Sequence, residues 1–176
     1  MEIVNSSWYR INALDLALCL RCNRISRYWL PRMFFRGVSR LGNGIFWYAL
    51  MVALLAVDGA AAFPTVLRML AAALAGLLVY KWLKIRTSRP RPCQVYAAIT
   101  ASAPALDRFS FPSGHTLHAV SFTLVASAAY PVLAPSLWLY TALVALSRPV
   151  LGLHYPSDVL AGAAIGALLA QLAVAL

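Results

Sequence analysis

The chain has 176 residues, of which 62% are hydrophobic and only 11% charged. Soluble domains carry about 25% charged residues, so this composition excludes a disordered chain, a coiled coil and a disulfide scaffold, and argues against a water-soluble globule. Fifteen Lys and Arg against five acids give a net charge of +10; with so little aqueous surface, the anionic partner implied is lipid phosphate and not nucleic acid.

Residues 1–44 are mixed. The apolar stretch 13–20 is too short to cross a bilayer, and extending it to residue 30 would bury Asp15, Arg21, Arg24 and Arg27 in hydrocarbon. No secretory signal pattern is present. Cys19 and Cys22 have CxxC spacing, but no second pair or nearby histidine completes a zinc site; with Cys93 they form no disulfide framework. From residue 30 the pattern becomes amphipathic. Leu30, Met33, Phe34, Val38 and Leu41 share one helical face, while Arg32, Arg36 and Arg40 lie on another. This predicts an interfacial helix, apolar side in lipid and arginines among anionic headgroups.

Five apolar segments follow, at 45–61, 64–83, 115–134, 135–153 and 157–176. Each is about long enough to span a bilayer. Gly162 and Gly166 have the GxxxG spacing of closely packed membrane helices. The fold expected is all-α: a polytopic transmembrane bundle of five to six spans, a sixth being possible only within residues 8–30. Residues 1–44 form a basic interfacial segment and residues 45–176 the transmembrane domain.

Topology gathers the polar residues at one membrane face. The first cluster, 84–92, holds Lys84, Arg86, Arg89 and Arg91. The second, 111–115, is a Ser113-Gly114 turn opening a helix at His115; its unpaired N–H groups and helix dipole suit an anion. The third holds Ser147, Arg148, His154 and Asp158. A histidine with a carboxylate four residues on is a candidate oriented base or nucleophile. Arg148 is a charge within an apolar stretch, a mark of function. Cationic clamps, a helix N-terminus and a carboxylate-backed histidine suit phosphoryl transfer through a phosphohistidine, with Lys84, Arg91 and Arg148 neutralising the phosphoryl oxygens. Five scattered acids offer no carboxylate-built metal centre, so neither metal nor cofactor is expected.

The ordered set Lys84-x6-Arg91-Pro92, Pro112-Ser113-Gly114-His115 and Ser147-Arg148-x5-His154-x3-Asp158 resembles the three-part signature of the type 2 phosphatidic acid phosphatases (PAP2), a superfamily that also holds soluble vanadium haloperoxidases. The resemblance implies that His154 is the nucleophile, that Asp158 orients it, and that His115 is the general acid. Lys84, Arg91, Ser113, Gly114 and Arg148 would hold the phosphate. His118, one turn beyond His115, is not a signature position and reads as a pocket-lining residue.

The expected protein is a metal-independent lipid phosphate phosphatase of a bacterial inner membrane. Undecaprenyl diphosphate is favoured, with phosphatidate and phosphatidylglycerol phosphate as alternatives. Haloperoxidase chemistry is disfavoured by the apolar spans, and a non-catalytic lipid-binding or transport protein by the intact His154–Asp158 pair. Arg10, Arg21, Arg24, Arg27, Arg32, Arg36 and Arg40 share a side with the three clusters when there are five spans, so the positive-inside rule places that side in the cytoplasm.

Overall fold

The structure is a computed structural model describing residues 2–175, with side chains from residue 12 onward; Met1, Leu176 and the side chain of Arg10 lie outside it. The described chain is a helical bundle. Its elements are α1 (Glu2–Ile25), α2 (Trp29–Leu41), α3 (Ile45–Asp58), α4 (Phe63–Thr87), α5 (Pro92–Val95), α6 (Gly114–Ala129), α7 (Ala134–Val150) and α8 (Pro156–Ala175). Short 3-10 turns at Gly59–Ala62 and Pro131–Leu133 join α3 to α4 and α6 to α7.

The bundle has the polarity of a membrane protein. Leu67, Leu70, Leu74, Leu78, Trp82 and Ile85 form an exposed stripe along α4, and Leu160, Leu168 and Leu172 along α8. The buried positions of α8 are Asp158, Gly162, Gly166, Ala170 and Ala173. Large residues face outward and small ones inward, as expected where lipid is the solvent and close backbone approach drives helix association. The helical run Ile45–Val95 and α8 are each long and apolar enough to cross a membrane.

The α6–α8 contact is the tightest. A Cβ on Gly162 would sit 2.5 Å from the Ser113 carbonyl oxygen, and one on Gly166 2.3 Å from that of Leu117. Neither position tolerates a side chain without separating the helices. Ser121 Oγ donates to the Gly166 carbonyl at 2.8 Å across the same seam. The GxxxG pair thereby fixes the N-terminus of α6 beside the first turn of α8.

The N-terminal region differs from the sequence expectation in one respect. Residues 2–25 form a continuous helix, where local pattern left a mixed segment. The described part of α1 lies against the polar end of the bundle: Asp15 meets Ser157, Cys19 meets the His154 carbonyl, and Asn23 meets Thr100 and Val150. The amphipathic α2 forms where expected. Leu30, Met33, Phe34 and Leu41 are exposed, while Phe35, Val38 and Ser39 face the protein.

Candidate active site

Helix ends deliver six of the signature residues, Lys84, Arg91, Gly114, His115, Arg148 and His154, to one cavity of about 620 Å³. Its polar end is walled by Lys84, Arg91, Asp107, His115, Arg148 and His154; its apolar end by Trp47, Leu74, Leu77 and Phe122. Lys84 belongs to the last turn of α4, not to the following loop, because the helix continues to Thr87. Basic residues there suit both the helix C-terminus and the interface. His115 lies in the first turn of α6, Arg148 in the last turn of α7, and His154 in the loop before α8. Gly152, with φ of +74°, turns that loop; a Cβ there would lie 2.6 Å from the Thr100 carbonyl.

The ring of His154 is almost fully buried. Arg91 Nη1 lies 3.2 Å from its Nε2 and donates to the Leu153 carbonyl at 2.7 Å. Arginine has only donors, so Nε2 accepts and the ring proton sits on Nδ1. This tautomer keeps a lone pair on the nitrogen that faces the cations. Burial, then the charges of Arg148, Arg91 and Lys84, push the imidazole well below the ordinary histidine value of 6.5. The ring is therefore neutral at physiological pH.

Asp158 stands behind this ring, with Oδ2 at 3.7 Å from Nδ1. That separation is too long for a hydrogen bond, and Nδ1 has no other partner. The carboxylate is held elsewhere: Oδ2 accepts the Tyr155 N–H at 2.8 Å, and Oδ1 accepts Arg89 Nη1 at 2.7 Å.

The cations in front are unequally satisfied. Lys84 Nζ donates to Asp107 Oδ1 and to the Phe109 carbonyl, both at 2.8 Å. Arg91 Nη2 reaches the same Asp107 oxygen at 2.8 Å. Burial alone would raise the Asp107 carboxyl; the hydrogen bond and charge of Lys84, with Arg91, outweigh it and hold the group below the usual carboxylate range. Arg148 has no carboxylate partner among the described residues. Its Nη1 donates to Ser39 Oγ at 2.6 Å, and its buried Nε has no acceptor.

The PSGH segment divides its work. Ser113 is fully buried as the N-cap of α6, its Oγ bonded to Thr116 Oγ1 at 3.0 Å, and its N–H donates to the Asp158 carbonyl. Ser113 is not on the cavity wall, whereas Gly114 and His115 are. Asn43 Oδ1 contacts His115 Nε2. His118 lines the cavity one turn along α6 and packs on Phe122 with ring centroids 5.8 Å apart.

Sequence reasoning missed Asp107, Asn43, Ser39 and Asp15 as neighbours of the site, and placed Arg89 in the basic cluster at 84–92 without a role. None has a spacing rule to announce it. Asp15 alone carried a signal, as an acid within an apolar stretch.

The arrangement matches known proteins. Residues 65–176 match the family model described as PAP2 superfamily. A decaprenylphosphoryl-5-phosphoribose phosphatase of Mycobacterium tuberculosis is 33% identical over 136 residues, covering 75% of this chain and 72% of that protein. Its namesake from Mycolicibacterium smegmatis is 38% identical over 74 residues, 42% of this chain and 39% of that protein. The crystal structure of Aquifex aeolicus LpxE superposes with a TM-score of 0.82 at 27% identity, covering 93% of this chain and 96% of LpxE. A transmembrane PAP2-type phosphatidylglycerolphosphate phosphatase from Bacillus subtilis gives 0.72 at 26% identity, covering 94% of this chain and 85% of that one. The family match includes the whole stretch from Lys84 to Asp158 that walls and backs the cavity, and the chain belongs to the PAP2 superfamily, among its membrane lipid phosphatases.

Proposed function

We propose that this chain hydrolyses a polyprenyl-linked lipid phosphate through a phosphohistidine on His154. The observation that carries the reading is Arg148: a buried guanidinium with no carboxylate among the described residues and an orphaned Nε, beside an open cavity that Lys84 and Arg91 also line. A buried cationic donor left unpaired is costly, and a phosphoryl group supplies the acceptors it lacks.

The lipid phosphate enters with its oxygens toward Lys84, Arg91, Arg148 and the free N–H of Gly114. The lone pair of His154 Nε2 attacks phosphorus. The bond from phosphorus to the leaving oxygen breaks, and that oxygen takes the proton of His115. Water then attacks the phosphoryl group and gives a proton to His115. The P–N bond breaks, inorganic phosphate leaves, and both histidines return to their starting states. Asp107 must release Lys84 and Arg91 as the phosphate arrives. Asp158 offsets the positive charge of the phosphorylated ring. Ser113 serves by capping α6 and aiming the Gly114 N–H.

The lipid tail occupies the apolar end of the cavity, reached between α3 and α4, which touch at few points. A polyprenyl carrier is favoured because a relative at 33% identity is named for a decaprenylphosphoryl substrate. The class includes undecaprenyl diphosphate. A second reading, phosphatidylglycerol phosphate, rests on the Bacillus subtilis neighbour. Phosphate release from detergent-purified protein should be fastest with decaprenylphosphoryl-5-phosphoribose or undecaprenyl diphosphate. Phosphatidylglycerol phosphate and phosphatidate complete the panel. Binding without release from any of the four would replace the enzyme by a lipid-binding or transport protein.

The reaction is read as metal-free, because the nearby acids are committed to Lys84, Arg89 and Arg91. Activity should survive excess EDTA; loss that magnesium restores would refute this. The basic segment 1–44 is read as an interfacial anchor on anionic lipid, so Phe34→Asp should weaken membrane association far more than Arg36→Lys. The protein is read as a multi-pass protein of a bacterial inner membrane with its site in the cytoplasm. Asp15, Cys19 and Asn23 all lie at the site end, which supports five crossings and keeps the N-terminal arginines on that side. A cysteine at Ser102 in a Cys-free background should resist impermeant thiol reagents in intact spheroplasts. Labelling without lysis would reverse the orientation.

A further inference from the structure

Behind His154, away from the cavity, lies an ionic cluster that the phosphate clamp does not use. Arg89, in the loop between α4 and α5, donates from Nη1 to Asp158 Oδ1 at 2.7 Å and to Ser157 Oγ at 2.8 Å. Its Nη2 donates to Asp15 Oδ2 at 2.8 Å. The guanidinium stacks on the Tyr155 ring, 4.1 Å from its centroid. Asp15, from the middle of α1, also accepts the Ser157 N–H at 2.9 Å and the Ser157 hydroxyl. Asp15 and Asp158 are 5% and 0% exposed. Arg89 is not on the cavity wall, so it does not reach the substrate.

We propose that Arg89 and Asp15 are positioning residues for phosphoryl transfer: together they fix Asp158 behind the His154 ring, which makes α1 part of the catalytic framework. The inference rests on the nucleophile reading above. Asp158 has two oxygens, and each has one donor that fixes it, Arg89 on one side and the Tyr155 N–H on the other. What remains beside Nδ1 is an immobile carboxylate edge. Two carboxylates against one guanidinium leave one surplus negative charge. A ring phosphorylated on Nε2 with a proton on Nδ1 carries one positive charge. In a buried site, that match stabilises the intermediate more than it could in water. Asp15 is needed for the surplus; without it, Arg89 would neutralise Asp158 and the cluster would offer the ring nothing. Arg89 is needed for the geometry; without it, two buried carboxylates face each other.

The family match begins at residue 65, and Asp15 lies outside it. The local signature therefore cannot supply this function, and the fold brings it from a helix 74 residues away in sequence.

The test compares kcat with inorganic phosphate affinity, measured by competition, in Arg89→Ala, Arg89→Lys and Asp15→Asn. Carboxylates that back a metal-bound histidine contribute about 10-fold to 100-fold, and the same scale is taken for a carboxylate backing a reacting one. Arg89→Ala should lower kcat toward the upper end of that range and Asp15→Asn toward the lower. Phosphate affinity should stay within about twofold in both, because the clamp in front is untouched. Arg89→Lys should recover much of the loss. Each variant's rate of phosphoprotein formation should fall with its kcat. Parallel loss of phosphate affinity and kcat in all three variants would assign the cluster a purely structural role and overturn the proposal. So would an Asp15→Asn enzyme with wild-type kcat. A wild-type enzyme that turns over without forming any phosphoprotein would sink the nucleophile reading, and this inference with it.

Discussion

The two flanks of His154 are built to opposite specifications. In front, Lys84 and Arg91 share one carboxylate, Asp107, while Arg148 has none among the described residues and keeps a buried donor without an acceptor. Behind, Asp158, Arg89, Asp15 and Ser157 bond one another with every carboxylate oxygen engaged. The front opens onto the cavity; the back is sealed by α1. The contrast separates what must move from what must not. An anion that arrives and leaves each turnover needs a site left electrostatically incomplete. A carboxylate that meets a transient charge on the ring has to be in place beforehand, because reorganisation during the reaction would cost part of the barrier it lowers.

Breaking the front should have the largest effect. Arg148→Ala removes a desolvated phosphate donor and should lower kcat/KM by about 10²- to 10³-fold. Phosphate affinity should fall with it, unlike the pattern expected behind the ring. Equal kcat/KM in wild type and variant would show that the orphaned Nε has nothing to do with phosphate.

Gly166→Ala strikes both flanks at once. Its Cβ would meet the Leu117 carbonyl at 2.3 Å and push α8 from α6. Overpacking of this kind costs about 1–3 kcal/mol, so the variant should melt earlier in detergent and lose activity in proportion. A variant of unchanged melting temperature would mean that the seam yields without cost.

Asp107→Asn sharpens the comparison in the opposite direction. Asp107 is a resident anion on the clamp, partly exposed, and its pairing is correspondingly weak. Removing its charge should tighten inorganic phosphate binding by up to about fivefold. Weaker phosphate binding would instead make Asp107 a support that holds Lys84 and Arg91 in place.

The smallest effect is on stability against pH. The His154 imidazole sits well below 6.5 in the folded protein. As pH falls through 6.5 the unfolded chain takes up a proton that the folded one refuses. This contribution is complete above that pH and is lost progressively below it. The melting temperature should fall between about pH 7 and about pH 5, and less steeply in His154→Asn. Equal slopes would place the ring in a more polar setting than its burial implies.

How far the sequence exposed each flank follows from the range of the interactions. Lys84, Arg91, His115, Arg148 and His154 were legible because phosphoryl chemistry fixes residue type, and helix ends fix spacing. The GxxxG pair was legible because small residues at one-turn spacing have few other uses in lipid. Asp107 carried no comparable mark: its partners lie 23 and 16 residues back, at no helical or strand period. The helix α1 was obscured by its own charges. Asp15 and the arginines argued against a membrane crossing, and they hid a helix whose described side chains meet the polar end of the bundle. Asn23 shows why, since it bonds Thr100 and Val150, 77 and 127 residues away. A local window sees only its desolvation cost and none of its partners.

The account stands on His154 taking the phosphoryl group. The most direct measurement is brief exposure of purified protein to a polyprenyl-linked substrate carrying labelled phosphate, followed by denaturing quench and separation. Wild type should carry label that survives base and is lost in acid, as a phosphoramidate on histidine does. Asp107→Asn should carry it too, and His154→Asn should carry none and turn over no substrate. Label retained by His154→Asn, or normal turnover by that variant, would contradict the account.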